Sequence, residues 1–433
     1  MKTEQLYEIY KNHPVVTTDS RNCPSGSIFF ALKGETFNGN VFAAKALEQG
    51  CAYAVIDEKE FAVLNDERYI LVENVLESMQ SLASWHRAQC AIPVLQITGT
   101  NGKTTTKELV AAVLQKRFRV LYTKGNLNNH IGVPLTLLQL TSEHEMAVVE
   151  TGANHPGEID LLSRMVQADW GLITNVGRAH LEGFGSFEGV VRTKGELYDY
   201  LREKGGRIFL HADNEHLVGI SSGLECVRYG LPADGVNHFV EGRMVQCTPF
   251  LEAEWRVNGG VWHTTKTQLI GAYNLSNVLA AVAVGAHFGV SEQQIDEALA
   301  GYAPGNNRSQ FIKTESNQLV VDAYNANPTS MMAALENFEK MEAAHKMVIL
   351  GEMRELGADS VAEHKKIIDF LTTMHLEQVW LVGSSFAGLY PDFRCFNNVD
   401  EVKETLATEK PHDVTILIKG SNGTRLFTLP EFL

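Results

Sequence analysis

The sequence has few cysteines and no pattern among them. Its six cysteines contain no C-x-x-C pair, so their spacing predicts neither a zinc site nor a disulfide framework. We therefore expect reduced thiols, which are typical of a cytoplasmic protein.

Positive charge and long apolar runs are also scarce. The 37 Lys and Arg residues against 52 Asp and Glu residues give a formal net charge of −15, which argues against a nucleic-acid-binding protein and against a polybasic membrane anchor. Apolar runs such as residues 278–284 are far shorter than the ~20 residues of a membrane span, so we expect no membrane insertion. No apolar stretch follows Lys2, and we expect no secretory signal.

The length and the order of elements predict three α/β domains. At roughly 150 residues per domain, 433 residues correspond to about three domains, each expected to bury its own core. We place them at residues 1–88, 89–304 and 305–433. Strands alternate with helices in the second and third, which predicts parallel sheets with helices on both faces. The central sheet carries an antiparallel extension at residues 226–270, and the third domain is a smaller, Rossmann-like doubly wound unit.

Hydrophobic periodicity locates the individual elements. The predicted strands are residues 27–32, 52–56, 94–98, 146–149, 170–174, 207–210, 319–322, 347–350, 378–382 and 414–418. The predicted helices are residues 41–49, 77–89, 103–115, 156–166, 187–202, 275–288, 330–343, 361–373 and 399–407. Ligands of such sheets bind at the carboxyl ends of the strands, so residues that follow strands are the first candidates for a site.

A glycine-rich turn lies between the strand at 94–98 and the helix at 103–115. It consists of Gly99, Thr100, Asn101, Gly102, Lys103, Thr104 and Thr105. Backbone amides of such a turn, together with the helix N-terminus, bind phosphate, while Lys103 reaches the β- and γ-phosphates and the Thr104 hydroxyl can bind Mg²⁺. An ordinary βα turn is the alternative. Ile97 stands where the motif G-x-x-x-x-G-K-[ST] has its first glycine, so the loop is a short variant that does not predict the ordinary GTPase and ATPase families.

Three further residues in the central region are weaker candidates on their own. Glu150 ends a buried strand beside the phosphate loop, where it can hold Mg²⁺ or be a solvated strand-end residue. His180 follows the next strand, and a lone histidine is more often structural than a ligand. Lys194 lies on a helix, where a lysine is usually solvated.

Polar residues near the second domain junction allow similar alternatives. Asn274 is a plausible N-cap of the helix at 275–288, and Asn277 could read an adenine edge. Arg308 and Asp322 fit a nucleotide clamp, although a surface ion pair is equally compatible with Arg308 alone.

Four segments complete the pattern: T-D-S-R at 18–21, K-G-N-L-N-N-H-I-G-V-P at 124–134, D-A-Y-N-A-N-P-T-S-M at 322–331 and G-E-M-R-E-L-G at 351–357. With the phosphate loop, they make nearly the whole chain resemble the Mur ligase family, the ATP-dependent amide-forming enzymes of peptidoglycan precursor synthesis. The member that adds the third amino acid usually has an Asp-Asn-Pro-Arg motif, which this sequence lacks. That favours the member that adds a dipeptide.

The resemblance implies substrates, cofactors and domain roles. The substrates would be UDP-N-acetylmuramoyl-tripeptide, bound by the N-terminal domain, and D-alanyl-D-alanine, joined through an acyl phosphate. The cofactors would be ATP, bound by the central domain, and Mg²⁺, with Lys194 carried as a carbamate. The protein would be cytoplasmic and monomeric.

The resemblance also implies roles for individual residues. The catalytic residues would be Lys103, Lys194 and His180. The metal ligands would be Thr104, Glu150, His180 and the Lys194 carbamate. ATP would contact the phosphate loop, with Asn274 and Asn277 at adenine and Arg308 and Asp322 reaching the nucleotide from the C-terminal ligase domain. Substrate contacts would come from Ser20, Arg21, Asn126, Asn129, Asn325 and Asn327.

Two other functions compete with this one. A folylpolyglutamate synthase shares the short phosphate loop and the acyl-phosphate route, but it has no counterpart of residues 1–85. A nucleotide-binding regulator without catalysis is disfavoured by the many polar residues at several strand ends.

Overall fold

The computed structural model describes residues 1–305 and 307–433, and within them the chain forms three sheets. The first sheet is parallel, in the order β1-β2-β3-β4. Its elements are α1 (Thr3–Asn12), β1 (Val16–Thr17), β2 (Ile28–Phe30), α2 (Ala43–Glu48), β3 (Tyr53–Ile56), β4 (Tyr69–Leu71) and α3 (Val75–Ala88). Asn74 begins α3, since its side chain accepts a hydrogen bond from the backbone of Glu77.

The central sheet has the order β13-β12-β11-β10-β9-β8-β5-β7-β6. Its strands are β5 (Val94–Thr98), β6 (Val120–Tyr122), β7 (Met146–Glu150), β8 (Trp170–Ile173), β9 (Arg207–His211), β10 (Glu225–Gly230), β11 (Val240–Cys247), β12 (Phe250–Val257) and β13 (His263–Ile270). Its helices are α4 (Lys103–Leu114), α5 (Gly132–Leu137), α6 (Glu158–Val166), α7 (Leu181–Phe184), α8 (Phe187–Lys204), α9 (Glu215–Ile220), α10 (Leu275–His287) and α11 (Glu292–Gly301). The strands from β5 to β10 pair in parallel, and β11, β12 and β13 pair antiparallel.

The third sheet has the order β14-β15-β19-β16-β17-β18 and is parallel except for its edge strand β14. Its elements are β14 (Gln310–Lys313), β15 (Gln318–Asp322), α12 (Pro328–Lys340), β16 (Lys346–Gly351), α13 (Ser360–Leu371), β17 (Gln378–Val382), β18 (Arg394–Phe396), α14 (Val399–Leu406) and β19 (Thr415–Lys419). Asn327 caps α12, and Pro328 occupies its first position, where a missing N–H costs nothing.

The predicted α/β architecture is confirmed, with local corrections. The antiparallel extension predicted for residues 226–270 starts later, because β10 pairs in parallel with both β9 and β11. The short strands β1 and β4 were not predicted, since elements of two or three residues carry almost no periodicity. Helix α1 was also not predicted, although it has ten residues and buries Leu6 and Tyr10 one turn apart. Within the described residues, no helix is long and apolar enough to cross a bilayer.

The first region, residues 1–88, buries one core of its own between its sheet and α2, but it shares its other core with the central region. One hydrophobic cluster joins α1 and α3 to α5, α6 and α8 of the central region. Polar contacts follow the same path: the Tyr10 hydroxyl donates to the Leu138 carbonyl at 2.6 Å, and the Arg87 side chain donates to the Val166 carbonyl at 3.1 Å. The boundary at residue 88 therefore crosses a shared core, and the domain limits themselves stay a prediction.

Candidate active site

A cavity of about 720 Å³ lies where the central and third sheets face each other. It opens at the carboxyl ends of β5 and β7 on one side and of β15 and β19 on the other. Most of the predicted site residues line it, namely Thr100, Asn101, Gly102, Lys103, Thr104, Thr105, Asn126, Asn129, Glu150, His180, Asn274, Asn277, Arg308, Asp322, Asn325 and Asn327. Topology thus brings together residues that are more than 200 positions apart in the chain.

The phosphate loop has the backbone that its glycines predict. Gly102 has a φ of +77°, and a Cβ there would lie 2.7 Å from the Oδ1 atom of Asn277. The loop is anchored by Asn175, which accepts from the Asn101 amide and donates to the Asn101 carbonyl, both at 3.0 Å. The amides of Thr100 and Asn101 are both taken up by Asn175, so the amides of the first turn of α4 are the ones left to face an anion.

Lys103 folds back over the loop. Its Nζ atom donates to the carbonyls of Gly99 at 2.8 Å and Thr100 at 3.0 Å. Burial lowers the pKa of Lys103 to about 8, opposed by the charge of Glu150 and reinforced by that of Arg308. A partly buried cation held by two neutral acceptors gains from a phosphate anion, because that anion supplies the missing counter-charge.

Glu150 is fully buried at the end of β7. Its Oε1 atom accepts from the Thr104 hydroxyl at 3.1 Å and from the Asn128 side chain at 2.8 Å. Its Oε2 atom has no hydrogen-bond partner. The alternative that Glu150 is a solvated strand-end residue is therefore wrong.

The donor set around Glu150 fits a magnesium ion. A buried carboxylate oxygen without a partner and the Thr104 hydroxyl lie side by side, and Mg²⁺ is commonly bound by one or two carboxylates together with phosphate oxygens and water. Within the described residues, no group of three or more His, Cys, Asp and Glu could hold a metal by itself. The protein ligands at this place would thus need nucleotide oxygens to complete the coordination.

His180 is held by Glu355, which belongs to the third region, the part of the chain that forms the third sheet. Its backbone is left-handed, with a φ of +50°, and its Nδ1 atom contacts the carboxylate of Glu355. That contact lowers the pKa of Glu355. A histidine paired in this way, next to a cavity, can change partner when a ligand binds.

The expectation of a solvated Lys194 is wrong. Its side chain on α8 is 2% exposed, and its Nζ atom has a single long contact, to the Ala153 carbonyl at 3.4 Å. Burial, and next the charge of Lys103, lower the pKa of Lys194 to about 7. Lys194 does not itself line the cavity, although Ala153 does.

Asn274 and Asn277, at the start of α10, are linked to each other and lie next to the phosphate loop and α4. Asn277 donates to Asn274 at 2.8 Å and accepts from the Thr106 hydroxyl at 3.0 Å. Asn274 is the N-cap residue by position, but its side chain makes no capping bond and donates instead to the Ile270 carbonyl at 2.8 Å. The capping role considered for it is wrong, and the adenine contacts stay predictions.

Arg308 and Asp322 face the phosphate loop from the third region. The Arg308 guanidinium lies 3.7 Å from the centre of the Tyr324 ring, and its buried Nε atom has no hydrogen-bond partner. The ion pairs of the described residues do not include Arg308, so the surface ion pair considered for it is absent there. Asp322 accepts from the buried Lys419 at 2.5 Å and from the Ser309 amide at 3.3 Å.

Polar contacts besides that of His180 with Glu355 join the two sides of the cavity. The Asn327 side chain donates to that of Asn101 at 2.8 Å, and the Arg178 amide donates to the Thr329 hydroxyl at 3.1 Å. Arg178 also lies 3.6 Å from the carboxylate of Glu363. The third region therefore sits on the phosphate loop through polar contacts.

The remaining predicted substrate residues differ in position. Asn129 accepts from the amides of Ile131 and Gly132, which stabilises the start of α5. Arg21 is exposed and paired with Asp19 at 2.9 Å, and neither it nor Ser20 lines the cavity. Their proposed role at a uridine nucleotide thus concerns a separate surface of the first region.

Sequence reasoning missed three charged residues of the site: Lys107, Glu355 and Lys419. Lys107 follows Thr104 by one helical turn, and Lys419 ends a buried strand, which is the signal that had identified Glu150. Glu355 lies within the segment 351–357 that carries the resemblance. Its contact with His180 depends on how two regions pack, which no local pattern records.

The fold and the site together define an α/β nucleotide-binding protein of the P-loop class, with its site between two lobes. Family models match as the Mur ligase family, catalytic domain, at residues 14–87, the Mur ligase middle domain at 97–285, and the Mur ligase, glutamate ligase domain, at 307–422. A UDP-N-acetylmuramoyl-tripeptide–D-alanyl-D-alanine ligase of Bacillus subtilis is 35% identical, covering 95% of this chain and 91% of the relative. The chain belongs to the Mur ligase family.

Solved structures agree with this assignment. A crystal structure of MurF from Acinetobacter baumannii superimposes with a TM-score of 0.86 at 30% identity, covering 99% of this chain and 98% of that one. The MurF ligase of Thermotoga maritima in complex with ADP shares the fold, with a TM-score of 0.84 at 24% identity and 96% coverage of both chains.

Proposed function

We propose that this chain is an ATP-dependent ligase that joins D-alanyl-D-alanine to UDP-N-acetylmuramoyl-tripeptide. The relatives that match it over nearly their whole length carry that activity in their names. The observation that carries the proposal is the cavity, in which a phosphate loop and Glu150 face Arg308 and Asp322. This arrangement serves a reaction in which ATP and a second anion must be brought together. A cytoplasmic location and a monomeric state are part of the proposal.

The first step, phosphoryl transfer to the tripeptide, requires that the negative charges of both reactants be neutralised. The carboxylate of the tripeptide and the γ-phosphoryl group of ATP are both negative, so their approach is opposed by repulsion. Lys103, the loop amides and Arg308 all act against that repulsion from the lining of one cavity. In-line transfer then forms a bond between a carboxylate oxygen and phosphorus while the bond to ADP breaks.

Metal binding is assigned to two groups. Glu150 and the Thr104 hydroxyl would hold Mg²⁺, which neutralises phosphate charge when bound. His180 is a further candidate ligand, for which it would have to leave Glu355.

Lys194 has the chemistry that a carbamate needs. Only a neutral amine adds CO₂, and a pKa of about 7 keeps a large fraction of Lys194 neutral near pH 7. The product would be an anion in place of a buried cation, suited to a second Mg²⁺. Rescue of Lys194→Ala by short carboxylic acids tests this role, and full activity of that variant without rescue would eliminate it.

The second half of the reaction captures the acyl phosphate. The neutral amine of D-alanyl-D-alanine attacks the acyl carbon, and phosphate leaves from the tetrahedral intermediate. Contacts such as Asn101–Asn327 hold the third region over the loop. They would limit the entry of water, which otherwise hydrolyses the acyl phosphate.

Release of phosphate from ATP tests the proposal. We expect it to require ATP, Mg²⁺, UDP-N-acetylmuramoyl-tripeptide and D-alanyl-D-alanine together. Equal release in the absence of the tripeptide or of the dipeptide would contradict the ligase function. A panel that varies the third residue of the tripeptide (lysine or diaminopimelate) then defines the specificity.

Titration calorimetry with the UDP-linked tripeptide separates the two competing functions. The ligase binds this substrate, whereas a folylpolyglutamate synthase does not. A regulator would bind nucleotide without turnover. The family match over residues 14–87 favours the ligase.

A further inference from the structure

Lys107 is a buried cation that the reaction described above does not use. It lies on α4, three residues after Thr104, and its side chain is 0% exposed. Its Nζ atom lies 3.5 Å from the Oε1 atom of Glu108 and 3.8 Å from the Oε2 atom of Glu150. A lysine is almost never buried to this extent unless a charge pairs with it.

The two oxygens of Glu150 have different surroundings. Oε1 accepts from Thr104 and Asn128, whereas Oε2 has no hydrogen bond and has Lys107 beside it. Among the described residues, Lys107 is the cation within 4 Å of this carboxylate. Removing one member of a buried pair leaves the other uncompensated, which is strongly destabilising.

We propose that Lys107 is a positioning residue that compensates the charge of Glu150, and so holds this carboxylate toward the phosphate loop, while no metal is bound. The proposal rests on the proposed function, because it concerns the carboxylate assigned there to Mg²⁺. A metal ion that binds Glu150 supplies positive charge at the same carboxylate. The protein's dependence on Lys107 is therefore greatest without metal and decreases when Mg²⁺ and nucleotide bind.

Packing is the competing explanation for a buried lysine, and two substitutions separate it from charge. Lys107→Met keeps an unbranched apolar side chain and removes the charge, whereas Lys107→Arg keeps the charge. Combining Lys107→Met with Glu150→Gln removes both charges and keeps both shapes. Lys116→Met is the matched control, because Lys116 lies just beyond the same helix in an exposed pair with Glu297 at 3.3 Å.

Thermal melting of the whole chain, with and without Mg²⁺ and ADP, tests the proposal. We expect metal-free Lys107→Met to melt roughly 5 °C below the parent, and Lys107→Arg and Lys116→Met to melt near it. The double variant should recover most of the loss. Addition of Mg²⁺ and ADP should raise the melting temperature of Lys107→Met by more than that of the parent.

Three results would overturn the proposal. Lys107→Met could have the same melting temperature as the parent. The double variant could also melt no higher than Lys107→Met, which would show that packing, not charge, explains the buried lysine. The increase with Mg²⁺ and ADP could also be equal in both proteins. Should Lys107→Met not fold, the double variant decides alone, since the proposal requires it to fold and melt near the parent. Failure of Mg²⁺ and ADP to stabilise the parent would instead count against the proposed function.

Discussion

The two walls of the cavity are built differently. On the central wall, the charged groups follow strands of one sheet: the partly buried Lys103 is held by loop carbonyls, and the buried Glu150 by Thr104 and Asn128. On the opposite wall, Arg308 stacks on Tyr324, and Asp322 pairs with Lys419.

Beside the cavity, Ile270 and Phe250 of the central region pack with the hydrophobic cluster of the third region. The hydrogen bonds that cross the cavity join polar side chains, whereas each wall is continuous with its own sheet. This difference indicates that the two walls have separate roles. The central wall binds nucleotide by itself, and the opposite wall acts when both walls enclose the substrates. Substitutions on the two walls should therefore separate nucleotide affinity from turnover.

The largest effect is expected on the central wall. Lys103→Ala should weaken ADP binding and reduce phosphate release by at least ~10³-fold, because the substitution removes the cation of the phosphate loop that would pair with the nucleotide phosphates. Calorimetry and a phosphate assay measure the two quantities, with Lys116→Ala, just beyond the same helix, as the control. Unchanged ADP affinity would contradict the assignment of this wall to nucleotide.

A smaller and more selective effect is expected on the opposite wall. Arg308→Ala should lower kcat by roughly 10²-fold, since the guanidinium faces the cavity without an ion pair among the described residues. The Kd for ADP should change by no more than a few-fold. A loss of ADP affinity as large as the loss of kcat would remove the distinction between the walls.

The contact between the walls can be tested at Asn327, which has two roles. Its Oδ1 atom caps α12, and its Nδ2 atom donates to Asn101. Asn327→Asp keeps the cap and loses the donor, so kcat should fall roughly 10-fold with little change in melting temperature. Asn327→Ala should also lose about 1 kcal/mol of stability. If Asn327→Asp turned over like the parent, the contact would have no part in closure.

The last effect concerns stability and its dependence on pH, not turnover. Lys194 has a pKa of about 7 in the folded protein against 10.5 in the unfolded chain. Between these values the unfolded chain binds more protons, so stability rises with pH through this window and the full cost of burial is present below pH 7. Lys194→Met should lack this contribution.

Urea unfolding without metal or CO₂ measures this difference. From pH 7 to pH 9.5 the parent should gain about 3 kcal/mol more than Lys194→Met. Equal gains would mean that Lys194 is not a buried amine of lowered pKa, and would remove the physical basis for a carbamate there.

The sequence predicted the central wall better than the opposite wall, for a physical reason. Strand β5 and the start of α4 coincide with prediction because a strand, a glycine turn and a Gly-Lys-Thr helix start are contiguous. Lys419 carries the same strand-end signal as Glu150, whereas Glu355 was missed because its contact with His180 arises from packing between segments far apart in the chain. The shared core of α3 with α5 and α6 was missed for the same reason.

The most direct test of the central claim follows an oxygen atom from the tripeptide to the released phosphate. If an acyl phosphate forms in the cavity, the carboxylate oxygen bonded to phosphorus leaves with the phosphate when the amine attacks. With both oxygens of the terminal carboxylate labelled with ¹⁸O, we expect each released phosphate to carry one ¹⁸O by mass spectrometry. Phosphate released without the label, while the amide product forms, would contradict the account.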